Sequence, residues 1–68
     1  MTLQQARKAF PGWVIELVRQ GRVVWWSATN DGLELESACF RERSQGQRKS
    51  LAHFLRALQA LNDEFAND

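Results

Sequence analysis

The sequence predicts an α+β domain of order helix, three antiparallel strands, helix (αβββα), with the second helix packed on one face of the sheet. Three patterns predict it: a capping pair near the N-terminus, a period-two apolar stretch from Trp13 to Phe40 broken by two turn signals, and a period-3.6 apolar stripe from Leu51 to Phe65.

Each element follows from local chemistry. Thr2 with Gln5 fits a capping box, Leu3, Ala6 and Phe10 fall on one stripe, and Pro11-Gly12 stops the element, so a short helix spans 2–10. From Trp13 apolar and polar residues alternate, with breaks at Gln20-Gly21 and at Asn30-Asp31-Gly32, both hairpin signals. Three strands result, roughly 13–19, 22–29 and 33–40. The polar loop Arg41-Glu42-Arg43-Ser44-Gln45-Gly46-Gln47 follows, with Ser44 or Gly46 able to cap a helix. Leu51, Phe54, Leu55, Leu58, Leu61 and Phe65 then recur at helical spacing, which predicts a long amphipathic helix over roughly 47–65.

The adjacent pair Trp25-Trp26 is the most informative feature, because successive strand residues point to opposite faces and one ring must leave the core. The first turn decides which. A two-residue turn at Gln20-Gly21 places Trp26 on the face of Ile15 and Trp25 on the other, whereas a type I turn with Gly21 in a bulge shifts the register by one and exchanges them. Gln is a poor first residue for a type I′ turn, which needs a positive φ there, so the bulged turn and an outward Trp26 are expected. The first and third strands keep their relation either way. Trp13, Ile15, Leu17, Leu33, Leu35 and Cys39 are expected on the helix-covered face, and Val14, Glu16, Val18, Glu34, Glu36, Ala38 and Phe40 on the other.

Length and composition bound the function. A chain of 68 residues predicts one small α+β domain over 1–68, near the lower limit for folding alone. The single cysteine, Cys39, excludes an internal disulfide and suits a reducing compartment, so a cytoplasmic location is expected. No signal-peptide pattern and no apolar run approaching ~20 residues occurs, so neither a leader nor a membrane span is expected. The formal charge of +1 gives no strong global field toward nucleic acid or anionic lipid.

Local charge is more informative than the total. Arg19 and Arg22 flank the first turn, and the third strand returns to that end at Phe40, where Arg41 and Arg43 follow. Arg48 and Lys49 open the last helix, so these six residues form an expected basic pole beside a helix N-terminus. The order helix, three strands, helix, with small and basic residues Ser44-Gln45-Gly46-Gln47-Arg48-Lys49 leading into the last helix, is similar in outline to the double-stranded RNA-binding domain. That resemblance implies phosphate contacts from this segment. The sequence departs from the family in a shorter first helix and in His53 near the place of a further lysine.

Candidate catalytic residues are few. His53 lies away from the Leu/Phe stripe, Cys39 has no second thiol beside it, and the four glycines are scattered among turns without a phosphate-cradling run. Glu34 and Glu36 share a face about 7 Å apart, but a carboxylate pair needs a pocket to separate its pKa values. No enzymatic activity, metal or cofactor is expected. The expectation is a non-catalytic protein-binding module, acting as a homodimer, a subunit or a small regulator or inhibitor. Its expected contact residues are Val14, Val18, Val24, Trp26, Glu34, Glu36 and Phe40, because exposed Trp on an apolar patch marks association surfaces. The alternative is a nucleic-acid-binding accessory domain using Arg19, Arg22, Arg41, Arg43, Arg48 and Lys49.

Overall fold

Two glycine turns set the sheet. At Gly21 (φ +63°) and Arg22 the chain reverses so that Gln20 pairs with Val23. A left-handed glycine followed by an ordinary residue is the pattern of a type II′ turn, whose twist matches that of the flanking strands. At Asp31 (φ +45°) and Gly32 (φ +90°) both central residues are left-handed, as a type I′ turn requires, and Asn30 pairs with Leu33.

The computed structural model describes residues 1–41 and 46–66, apart from the side chains of 46–48 and 66. Its elements are α1 (Leu3–Ala9), β1 (Val14–Gln20), β2 (Val23–Asn30), β3 (Leu33–Glu36), β4 (Phe40–Arg41) and α2 (Gly46–Ala66). All strand pairs are antiparallel, in the order β1-β2-β3, with β4 also paired to β2. The αβββα class holds, with the third expected strand divided into β3 and β4.

The capping box forms as the residue types dictate. Gln5 N–H donates to Thr2 Oγ1 at 3.2 Å, and Thr2 N–H donates to Gln5 Oε1 at 2.8 Å. The helix stops at Phe10, whose N–H still donates to the Ala6 carbonyl, before Pro11-Gly12 turns the chain into Trp13. Arg7 reaches from α1 to the sheet edge, donating through Nε and one Nη to the Ile15 carbonyl at 3.2 and 3.0 Å. A charged side chain thereby closes part of β1, an edge strand among the described residues.

The division of β3 from β4 comes from a bulge. Ser27 pairs with Glu36, but Val24 pairs with Phe40, so two residues of β2 face three on the opposing strand. Ser37 makes this workable: its N–H donates to the Trp26 carbonyl at 2.9 Å, and its hydroxyl accepts from Trp26 N–H at 2.8 Å. The same hydroxyl donates to the Ala38 carbonyl at 3.0 Å.

One core forms between the sheet and the two helices. It contains Ala6, Phe10, Trp13, Ile15, Trp26 and Ala28 with Leu51, Phe54, Leu55 and Leu58, and Leu17, Leu33, Leu35, Phe40 and Leu61 pack partly buried against it. Val24 is also buried. Phe65, expected on the helix stripe, is 48% exposed, since α2 runs past the sheet before reaching it.

Beyond Glu36 two side-chain expectations are reversed. Phe40, expected on the outer face, lies on the core face opposite Val24, with its ring tilted 32° against Trp26 at a centroid distance of 6.4 Å. Cys39, expected in the core, is exposed. The bulge at Ser37–Cys39 inserts one residue, and with a period of two a one-residue shift inverts every side chain beyond it.

Candidate functional site

The face of the sheet turned away from the helices is built by the register. Its cross-strand rows are Val14–Thr29–Glu34, Glu16–Ser27–Glu36, Val18–Trp25 and Gln20–Val23–Arg41. Trp25 therefore stands on the middle strand, half-buried, with Val18 beside it. Val23, 37% exposed, adjoins Trp25 one row toward the first turn, while Val14, 58% exposed, lies beyond the Glu16–Ser27–Glu36 row at the other end.

Trp26 is not the outward ring. It is 3% exposed and pairs with Leu17 on the helix-covered face, and Trp25 takes the outer position. The turn lies at Gly21-Arg22, one residue beyond Gln20-Gly21, so Gln20 remains in the strand and the left-handed position falls on glycine. Val24, at 1% exposure, goes inward with Trp26 by the same turn register, and Phe40 goes inward through the bulge beyond Glu36. Of the residues expected to form the contact face, Val14, Val18, Glu34 and Glu36 are on it, while Val24, Trp26 and Phe40 belong to the core. The sequence reading left out Trp25, Val23 and Arg41 from this face; the glycine at position 21 is the signal that could have placed them.

The electrostatics of the face are uneven along the strands. Glu34 and Glu36 lie toward the Asp31-Gly32 turn, Glu16 stands across from Ser27 in the Glu36 row, and Arg41 occupies the opposite end beside Val23. A hydrogen bond with the Glu36 side chain, then the Glu36 charge, and a small loss of hydration hold the Glu34 carboxyl above its ordinary value of 4.5. Both carboxylates are exposed.

The expected basic pole is partly assembled. Arg19, Arg22 and Arg41 share the first-turn end of the sheet, and α2, which contacts β4 at that end, carries Lys49 in its first turn. Arg43, the side chain of Arg48 and the expected cap Ser44 lie outside the described residues, and Gly46, the other expected cap, is the first residue of α2. His53 is exposed on α2.

A shallow apolar groove of about 250 Å³ lies elsewhere, lined by Met1, Phe10, Ala52, Leu55, Arg56 and Gln59. Among the described residues, no three His, Cys, Asp or Glu side chains form a group able to hold a metal ion. No described helix is long and apolar enough to cross a membrane. Comparison with protein-family models, curated proteins and solved structures finds no match.

Proposed function

We propose that this chain is a non-catalytic protein-binding module whose contact surface is the outer sheet face centred on Trp25. One observation carries the reading: a tryptophan on the central strand faces away from both helices, with Val18 beside it and exposed Val14 and Val23 beyond. Burying such a ring against a partner stabilises an interface more than almost any other side chain does. The surrounding Glu16, Glu34 and Glu36 supply a polar rim that favours a basic or neutral partner surface over an acidic one. An exposed free thiol at Cys39 suits a reducing location such as the cytoplasm.

The test is a photo-crosslinking amino acid placed at position 25, with a control at the exposed Ala57 of α2, in the cells that make the protein. Adducts of defined mass from position 25 and none from position 57 support the reading. Absence of adducts at position 25, or equal yields at both positions, overturns it.

A second reading, nucleic-acid binding, is supported by the convergence of Arg19, Arg22, Arg41 and Lys49 on the end where α2 starts. Oligonucleotide binding that weakens steeply between about 50 and 200 mM salt, and that is lost in the variant Arg48→Gln/Lys49→Gln, is its expected signature. No binding at about 50 mM salt removes it.

A further inference from the structure

We infer that the outer face takes a second copy of this chain, stacked face to face with strands antiparallel about a two-fold axis that passes through the level of Trp25. The inference rests on the reading of this face as a protein contact and names its occupant.

The argument is the charge pattern along the strands. The Glu16–Ser27–Glu36 row lies two residues from Trp25 on one side, and the Gln20–Val23–Arg41 row lies two residues away on the other, each about 7 Å along β2. Trp25 is therefore midway between an acidic row and a basic one. β4 pairs with β2 on the same side as β3, so Glu36 and Arg41 also share one lateral edge of the face.

Consider a two-fold axis lying between two stacked sheets and perpendicular to the strands. It keeps each strand over its own copy but reverses the order of the rows. Glu36 then lies over Arg41 of the second copy, and Arg41 over its Glu36, while Val18 and Trp25 meet their own counterparts at the centre. At the usual sheet spacing of about 10 Å, Glu and Arg side chains reach one another and the apolar residues interdigitate. An axis parallel to the strands instead stacks the Glu16–Glu36 row on itself, which like-charge repulsion in a partly dried interface disfavours. The face is thus complementary to itself in one orientation, as an isologous dimer requires.

The size of the face sets the strength. Three strands about 20 Å long bury on the order of 1,000 Å² in total, the lower end for a specific interface, so a weak, reversible dimer that fills only at high protein concentration is expected.

Sedimentation equilibrium of the full chain, from about 10 µM to 1 mM under reducing conditions at low salt, tests this against the expected concentration range. The wild type is expected to dimerise in the upper part of the range. Each single charge reversal, Glu36→Arg or Arg41→Glu, is expected to weaken association at least tenfold (about 1.4 kcal/mol). The double variant Glu36→Arg/Arg41→Glu is expected to return to within about threefold of the wild type, because the swapped charges pair again. The neutral variants Glu36→Gln and Arg41→Gln give the same ordering with smaller shifts, should a reversal impair folding. A wild type that stays monomeric, single variants that associate as well as it does, or a double variant that is not restored each overturn the inference. A monomeric chain that still crosslinks a different protein from position 25 removes the second copy and leaves the contact-surface reading standing. A monomer with no adduct removes both.

Discussion

Trp13 and Asn62 are joined across the length of the domain: the Trp13 indole N–H donates to the Asn62 side-chain carbonyl oxygen at 3.2 Å. This bond ties the start of β1 to the late turns of α2. Because Trp13 is only 6% exposed, the bond also satisfies a polar group that burial would otherwise leave unpaired.

Asn62→Ala is expected to lower stability by about 1–2 kcal/mol, measured by urea denaturation, since it orphans the buried indole N–H. Leu58→Ala, at a fully buried position in the middle of the same helix, is expected to cost about 2–5 kcal/mol and to unfold much of so small a domain at ambient temperature. A loss under about 1 kcal/mol at Leu58 is incompatible with α2 packing on the sheet.

The two central tryptophans are expected to behave oppositely. Trp25→Ser changes thermal stability by no more than about 1 kcal/mol, because only cross-strand contacts with Val18 and its neighbours are lost. Trp26→Ser costs about 3–5 kcal/mol, the scale of deleting a core aromatic. Trp26→Phe is milder than its lost volume suggests, since the buried Trp26 indole N–H has no acceptor among the described residues and its removal takes away a costly donor. Equal destabilisation by the two serine variants contradicts the observed register.

Ser37 is expected to be the sensitive position of the bulge. Ser37→Ala removes the acceptor of Trp26 N–H and should cost about 1–3 kcal/mol in a denaturation experiment. Ser37→Thr, which retains the hydroxyl, should recover most of that loss. If alanine is as stable as serine, the register shift is held by the packing of Phe40 alone.

The Glu34–Glu36 pair makes a pH prediction. In the folded chain the Glu34 carboxyl titrates above its ordinary value of 4.5, so between the unfolded and folded values the folded state holds more protons than the unfolded one. Stability is therefore expected to rise as pH falls through the raised folded value toward the ordinary one, and this gain is absent above that window. Glu36→Gln is expected to bring the Glu34 carbon resonance, followed by NMR, back toward an ordinary titration. An unchanged Glu34 titration in that variant excludes Glu36 as the cause.

Cys39 is expected to react with a thiol reagent in the native protein at a rate within a few-fold of the unfolded chain, because it is exposed on the bulge. Protection by orders of magnitude places it back in the core.

The elements were legible because each depended on neighbours in sequence. The Thr2–Gln5 box, Asp31-Gly32 as a type I′ turn and the stripe from Leu51 to Leu61 are local patterns whose physics needs no distant partner. The alternation of β1 and β3 was equally clear, so Ile15, Leu17 and Leu35 were correctly separated from Val14, Glu16, Val18, Glu34 and Glu36.

Only the tertiary structure decided the faces of β2 and of the residues beyond Glu36. Val23-Val24-Trp25-Trp26 is apolar at both parities, so its pattern does not discriminate between two registers that differ by one residue. The choice was made by glycine at position 21 taking the left-handed site, and by burial of Trp26 between the sheet and α2. Beyond Glu36, the Ser37 hydroxyl completed the hydrogen bonding of Trp26 N–H and allowed one extra residue, which sent Phe40 inward and Cys39 outward. Sequence periodicity thus determined which segments are strands and helices. The long-range packing that selects among one-residue slips determined which tryptophan the molecule presents, because a slip costs nothing locally and inverts every side chain that follows it.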